Sequence, residues 1–440
     1  MKRLTTIFIL ILIALVLSVN LLFAETPQPQ IQTEAQPQQK LDTGDTAWMI
    51  VATAFVMLMT LPGVALFYGG LAKKKDVLNT IAMSFVAYCT VSFLWIAFGY
   101  SLAFSGDIGG IIGYLDKAFL NGVKVDSLQG TIPEVLFSVF QLTFAAITVA
   151  LISGAYIERM SFSAWVLFTI LWVSLVYVPV AHWVWGGGFL AKMGALDFAG
   201  GTVVHINAGV AALVGTLILG KRKNTLLVPN NLTLVAIGAA LLWFGWFGFN
   251  AGSALASNGL AAQAFINTNT ATAVAALAWM FTEWAVTKKP TVLGIASGMI
   301  AGLVAITPAA GFVNIIGSVV IGILAGFICY FSVTSLKPKL GYDDALDVFG
   351  IHGVAGIIGA IMTGIFANPS INEAGKGLLY GNPGQLWIQT GAVLITIVYT
   401  CIMTVLIFLM IKILMNIRVT EEEEIAGLDS SQHSEKAYNL

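Results

Sequence analysis

The chain reads as a succession of long apolar runs separated by short polar breaks. Eleven runs follow residue 44, at 47–71, 78–104, 132–156, 162–182, 200–220, 232–254, 268–286, 291–306, 311–333, 347–367 and 386–415. A bilayer core of about 30 Å is crossed by about 20 apolar residues of helix. The pattern therefore predicts an all-α polytopic membrane protein with eleven transmembrane helices in a domain spanning 45–417. A further apolar stretch opens the chain. Residues 1–24 begin Met1-Lys2-Arg3, stay almost uncharged from Leu4 and end Leu22-Phe23-Ala24, the form of a secretory signal peptide. Its apolar region is long for that role, and an uncleaved anchor helix is the alternative. Residues 25–44, Pro- and Gln-rich from Glu25 to Lys40, have little to bury and are expected to form a disordered extracytoplasmic linker.

Charge played no part in placing the runs, so it tests them. With the mature N-terminus outside, the inner loops hold Lys73, Lys74, Lys75, Arg159, Lys221, Arg222, Lys223, Lys288, Lys289, Lys337 and Lys339, and the outer loops hold Lys117, Lys124, Lys192 and Lys376. Eleven against four, alternating along the chain, is the positive-inside pattern for a multi-pass protein of the cell (inner) membrane with its C-terminus in the cytoplasm. An uncleaved first helix would begin inside and leave every later loop in place. The tail, 418–440, carries Glu421 to Glu424, which charge alone would read as a solvated, solubilising run.

Composition excludes other classes. The 440 residues are 58% apolar and 10% charged, against about a quarter charged in soluble domains. With net charge −1 and basic residues only in short clusters, nucleic acid is not an expected partner. Cys89, Cys329 and Cys401 lie far apart inside apolar runs, without metal or redox spacing, and are read as packing residues.

Two of the four histidines fall inside apolar runs in matching settings. Thr202-Val203-Val204-His205-Ile206-Asn207-Ala208-Gly209 recurs loosely as Val348-Phe349-Gly350-Ile351-His352-Gly353-Val354-Ala355-Gly356. Glycine follows each histidine by four, giving a small-residue face on which another helix packs closely. Each segment also has an aspartate upstream, Asp197 or Asp347. His205 is on the fifth run, which points inward, and His352 on the tenth, which points outward. Two units of five spans are thus inverted copies, spans 1–5 and 6–10, with the eleventh helix outside the repeat, the architecture of many transporters. An ionisable residue within the membrane is costly and by default functional. Buried packing histidines, or a paired-histidine haem site, are the alternatives. At helical rise, histidines about five residues deep from opposite surfaces stay far apart. They meet only if both helices start below the surface, which the Gly-rich stretch 186–201 would permit where protein buries it.

The segments Leu61-Pro62-Gly63-Val64-Ala65-Leu66-Phe67-Tyr68-Gly69-Gly70, Ala181 to Gly188 (AHWVWGGG), Gly194 to Asn207 (GALDFAGGTVVHIN), Trp246 to Ser253 (WFGFNAGS) and Asp347 to Gly353 (DVFGIHG) carry a resemblance that extends over nearly the whole mature length. In this order they identify the chain as similar to the ammonium transporter (Amt/Rh-type) family, bacterial type. The resemblance implies a homotrimer with one narrow pore per protomer, ammonium/ammonia and methylammonium as substrates, no cofactor, no metal and no catalytic residues. It implies that His205 and His352 pair in the pore, that Phe144, Trp185 and Ser253 recruit the cation, and that Phe144 and Phe249 stack as a gate. Asp197 matches an acidic residue supporting deprotonation without touching the ion, a role compatible with an N-cap for the fifth helix. Phe140, Gln141 and Trp246 fall beside the pore, and Asp347 is a cap or loop anchor. Without the resemblance, Trp185 would be an interfacial belt residue and the phenylalanines packing residues. Gly427-Leu428-Asp429, His433, Glu435, Ala437 and Tyr438 resemble the tail of bacterial members whose cytoplasmic face binds a P-II-type signal protein. His433 and His182 have no expected site role. An ammonium sensor on the same fold is the competing function.

Overall fold

The computed structural model describes residues 40–226 and 228–438. The expected signal peptide and most of the linker lie outside them. The domain is helical except for a short hairpin, β1 (Leu128–Gln129) with β2 (Ile132–Pro133), in the loop before the third span. Among the described residues nine helices are long and apolar enough to cross a membrane. They are α1 (Thr43–Leu71), α2 (Val77–Phe104), α3 (Glu134–Tyr156), α4 (Phe162–Lys192), α5 (Gly201–Leu219), α6 (Leu232–Ala251), α9 (Ile315–Leu340), α10 (Phe349–Phe366) and α11 (Gly384–Leu414). The seventh and eighth expected spans are α7 (Gly259–Thr287), long but more polar, and α8 (Val292–Ile306), apolar but short.

The polarity of α7 has a packing reason. Its small and polar residues are covered by two glycine-spaced faces: Gly298 and Gly302 of α8 press on Ala275–Ala276 and Ala271–Thr272, and Gly322 and Gly326 of α9 on Ala271 and Ala275. A Cβ on any of these glycines would lie within 3 Å of α7. Helices that approach so closely gain van der Waals contact in an environment without a hydrophobic driving force between helices. Asn267 is buried there and donates to the carbonyls of Ala310 and Val313, so its amide is hydrogen-bonded inside protein.

Polar residues start most helices. Asp42, Ser161, Asn231, Asn258, Thr291 and Asn314 each accept a first-turn amide. The linker accordingly ends by Asp42, two residues before its expected limit. Seven spans also contain a π-helical turn, where one inserted residue re-aims the side chains around it. In α1 it covers Met59–Val64 and accommodates Pro62, which lacks an amide hydrogen. The turns in α4 (Val173–Tyr177) and α9 (Ser332–Leu336), in α5 (Gly201–Ile206) and α10 (Phe349–Gly353), and in α1 and α6 (Phe247–Ala251) fall on helices five apart in order. The remaining turn, Trp95–Gly99 in α2, has no counterpart in α7.

Loops alternate between two ends as the charge pattern requires. At one end, Lys73 pairs with Glu158 at 2.7 Å, Arg222 with Glu158 at 2.9 Å and with Asp343 at 2.7 Å. These residues come from the loops after α1, α3, α5 and α9. The tail joins the same end through α12 (Glu421–Ala426) and α13 (Leu428–His433). The acidic run is no freely solvated segment: Glu424 is buried, pairs with Arg418 at 2.7 Å, and Thr420 with Glu423 forms a capping box. Asp76 accepts from the Leu428 amide, Asp429 from that of Asn79, and Tyr438 donates to Asn230. His433, expected at the surface, is half-buried, 3.0 Å from Asn79 Oδ1 and edge-on to Phe162. At the other end His182 is fully buried, with Nδ1 2.9 Å from the Ala103 carbonyl and Nε2 3.0 Å from Asp107, which also pairs with Lys192. The cysteines divide: Cys329 is buried and Cys401 half-buried, but Cys89 is exposed on the outward side of α2 and so is not a core packing residue.

Candidate functional site

Seven of the expected site residues, Phe140, Phe144, Trp185, His205, Trp246, Phe249 and His352, stack ring on ring in one column. Trp185, in the last third of α4, meets Phe144 of α3 edge-on with ring centroids 5.8 Å apart. Phe144 and Phe249 of α6 follow at 4.2 Å with planes tilted by 33°. Phe249 lies 6.0 Å from the ring of His205, which is nearly parallel to that of His352 at 5.4 Å. The two Nδ1 atoms are 3.2 Å apart. Phe140 braces Phe144 edge-on at 4.9 Å. Trp246 stacks on His205 at 5.4 Å, and its indole donates to Thr307 Oγ1 at 2.8 Å. Thr307 was not anticipated; it fixes the tryptophan that in turn fixes a histidine.

Local chain geometry explains how the histidines meet. Both lie in π-helical turns at the first turn of their helices, His205 in Gly201–Ile206 and His352 in Phe349–Gly353. Residues 199–212 are buried throughout, so α5 begins inside the protein. The loop before α10, 342–346, is equally buried. A Cβ on Gly209 would come within 2.3 Å of the Gly353 backbone, and one on Gly356 within 3.1 Å of Gly201 O and Ile206 N. The glycines four residues after each histidine thus do bring the helices together.

Asp197 organises the start of α5. Its Oδ1 accepts from the amides of Gly200 and Gly201 at 2.8 and 2.7 Å, and its Oδ2 from Thr202 and Val203 at 2.7 and 3.2 Å. Gly200 has φ +113°, a backbone conformation that favours glycine and lets the amides turn toward one carboxylate. The Asp197 carbonyl also accepts the Trp185 indole hydrogen at 2.9 Å. One residue therefore holds both the Trp185 indole and the first turn of the His205 helix.

Ser253 donates to the Phe249 carbonyl at 2.8 Å, leaving its oxygen lone pairs available as acceptors. Gln141 is buried with Oε1 unpaired and forms no hydrogen bond to the ring residues. Asp347 is not the counterpart of Asp197. It has φ +61° and pairs with Lys337 at 2.6 Å, a loop anchor, while the carboxylate that caps α10 is Asp344, accepting from Phe349 N at 2.7 Å. A porphyrin does not fit between the histidines: their Nδ1 atoms stand at hydrogen-bond separation, and His205 Nε2 is enclosed without a partner. One Nδ1 carries the shared hydrogen and the other accepts it, so at least one ring is neutral or the pair shares a proton.

Residues 47–438 match the model of the Ammonium Transporter Family. The ammonium transporter of Aquifex aeolicus (strain VF5) is 62% identical over 407 residues, covering 92% of this chain and 95% of that protein. The ammonium transporter of Bacillus subtilis (strain 168) is 54% identical over 402 residues, covering 90% and 99%. Among solved structures, Candida albicans Mep2 superposes with a TM-score of 0.81 at 38% identity, covering 87% and 88%. A protein described as a sensor Amt protein gives a TM-score of 0.82 at 29% identity, covering 89% and 98%. Sequence, superposition and the segments around the two histidines agree: the chain belongs to the ammonium transporter family.

Proposed function

We propose that this protein is an ammonium channel that recruits NH4+ at its outer face, removes a proton and conducts NH3 along the column from Phe144 to His352. The observation that carries the reading is the hydrogen-bonded pair His205 and His352, 3.2 Å apart at Nδ1, beneath two stacked phenyl rings in an otherwise apolar core. Such a path suits a small neutral base. A bare charge at the bilayer centre costs several kcal/mol or more, whereas ammonia loses little on leaving water and can exchange single hydrogen bonds with an imidazole.

Recruitment needs affinity for the cation. The faces of Trp185 and Phe144 supply about 0.5 to 2 kcal/mol each, and the Ser253 oxygen accepts an N–H that has lost its hydration. Potassium donates no hydrogen bonds, so directional acceptors and a dry, narrow path select against it. Asp197 supports deprotonation by position: its negative charge lies behind Trp185 and at the start of the His205 helix. The proton given up near Phe144 and Phe249 returns to solvent or follows through the imidazoles.

The proposed setting is eleven spans, with α7 and α8 completing the nine, arranged as inverted repeats of α1–α5 and α6–α10. The spacing of π-helical turns on helices five apart supports this repeat. The proposed assembly is a homotrimer in the cell (inner) membrane, N-terminus outside, with the docked tail offering a P-II-type signal protein its surface. The test is a His205→Leu, His352→Leu double variant that still inserts. Ammonium flux through it should vanish or lose selectivity over potassium; selective flux at the wild-type rate would return both residues to packing. A second reading, ammonium sensing, is favoured by the similarity to a sensor Amt protein. Saturable ammonium binding without flux through the wild-type protein would select it.

A further inference from the structure

His182 takes no part in the column, yet it is fully buried in α4 one helical turn before Trp185. Its ring is held at both nitrogens. Nδ1 is 2.9 Å from the Ala103 carbonyl at the end of α2, and Nε2 is 3.0 Å from Asp107 Oδ1 in the loop that follows. A carbonyl oxygen only accepts, so Nδ1 carries a hydrogen. Asp107 is an acceptor as well: the Lys192 ammonium, the His182 ring and the Gly110 amide hold its carboxyl down at about 2, and it is ionised. Both contacts are satisfied together only by a ring with a hydrogen on each nitrogen, the imidazolium ion.

The backbone around Trp185 is folded over that ring. The regular helix within α4 ends at Trp185, and the His182 carbonyl accepts from the amides of Gly186 and Gly188 at 3.0 Å each. A Cβ on Gly186 would lie 2.7 Å from His182 Nδ1 and 2.0 Å from Ala103 O, so the chain leaving Trp185 passes directly against the ring and its partner. Asp107 fastens the same turn from outside: its Oδ1 also accepts from Gly110 at 2.7 Å, and the Gly110 carbonyl accepts from Phe189 at 2.9 Å. The Trp185 indole is tied separately to the Asp197 carbonyl. Of the charged groups on the elements packed here, Asp107 faces the ring and Lys192 faces Asp107. Asp116 is taken by Ser105, and Glu134 of α3 by Tyr100 and Lys117.

We propose that His182 is a positioning residue for ammonium recruitment: as imidazolium between Ala103 and Asp107 it fixes the turn that sets the Trp185 ring, and recruitment weakens when its Nε2 proton is lost to external water. This rests on the reading of the protein as an ammonium channel. The neutral ring keeps its Nδ1 hydrogen on Ala103 and turns a lone pair toward the Asp107 carboxylate, so repulsion replaces a charge-assisted hydrogen bond. The turn 186–189 then loses a fastening. Loss of the imidazolium charge by itself would favour a cation nearby, so the direction of the change separates positioning from simple electrostatics.

The test uses the full chain reconstituted into liposomes, with inner pH fixed, outer pH stepped from about 5.5 to 8, where imidazoles change charge, and protein-free liposomes subtracted. The half-saturating ammonium concentration from the outer face should rise with outer pH by about two- to tenfold, part of what a cation–π contact contributes. Asp107→Asn keeps an acceptor for Gly110 and for the ring but removes the charge, so the rise should move to lower pH by about one unit or more. His182→Gln does not titrate and should give a raised value without the rise. Titration of the column histidines would not respond to Asp107→Asn, which touches neither. A wild-type value that is flat or falls with outer pH, or a rise left in place by Asp107→Asn, would overturn the positioning role, even should His182→Gln fail to insert. Absence of ammonium flux in the wild-type protein would instead overturn the channel reading on which it rests.

Discussion

His205 is held by contacts that leave it little freedom: Trp246 on one face, Phe249 above, and His352 at hydrogen-bond distance. Its Nε2 is buried and unpartnered, left able to accept or donate one hydrogen bond. Trp185, with its indole hydrogen committed to Asp197, can offer a cation only its π face. Replacing it by alanine should raise the half-saturating ammonium concentration on the outer side by about 2- to 30-fold, the equivalent of about 0.5 to 2 kcal/mol. An unchanged value would make Trp185 an interfacial belt residue. Asp197→Ala should cost more than an ordinary N-cap, about 2 kcal/mol or above, because four amides lose one acceptor. A melting curve matching the wild type would contradict the capping role. At this scale the sequence was readable where motifs carried the residue: Phe144, Trp185, Phe249, Ser253 and both histidines come together as expected. Asp344 was missed because Asp347 is nearer to His352 in the chain. The positive φ of Asp347 turns it away to Lys337, which no spacing rule announces. Thr307 was missed because its partner Trp246 is sixty-one residues distant.

Helix α5 meets α10 where Gly209 lies on Gly353, and that crossing sets the distance between the imidazoles. Gly209→Ala would place a methyl 2.3 Å from backbone that cannot rotate away. It should cost about 1–3 kcal/mol of stability and depress flux together. Gly391→Ala in α11, where nothing lies within 4 Å, should be neutral or stabilising by up to about 1 kcal/mol. Equal melting and flux in the two variants would show that the close approach is not needed. The glycine at the fourth position after each histidine made this crossing legible in sequence. The π-helical turns holding His205, His352 and Phe249 were not, because one inserted residue leaves apolar periodicity almost unaltered. The tail helices α12 and α13 were equally hidden, since a run of glutamates reads as solvated until Arg418, Lys75 and Asp76 are brought to it. Burial pushes the Asp76 carboxyl up from 3.8 to about 7, against the pull of the Leu428 amide. With the tail docked, Asp76 thus binds more protons than with it released. Docking should weaken as pH rises from about 4 through 7 and level off above. Hydrogen exchange across 421–438 that is slower at pH 8 than at pH 5.5, after correction for the intrinsic rate, would contradict this.

The helical domain from residue 40 onward has charged loops at its helix ends and an apolar interior crossed by aromatic rings and a pair of imidazoles. Span count was legible from run length for nine helices; α7 and α8 show why length and hydropathy stop there. A helix covered on two sides by glycine-spaced neighbours can carry Asn267, Thr268 and Thr272 in its buried face, and a short one can be sheltered by longer neighbours. Loop alternation was legible because charge follows topology, and the gathering of Lys73, Glu158, Arg222 and Asp343 at one end agrees with it. Substrate was legible only through family motifs, since an apolar path with two histidines does not by itself name a solute. The central claim is therefore selective passage of ammonium. Its most direct test is ammonium accumulation in liposomes containing the purified protein, at pH 6 where leakage of the free base through lipid is small, with potassium as the parallel cation. The account predicts saturable ammonium entry well above that of protein-free liposomes and no protein-dependent potassium entry. Ammonium entry equal to that of empty liposomes, or matched by potassium, would contradict it.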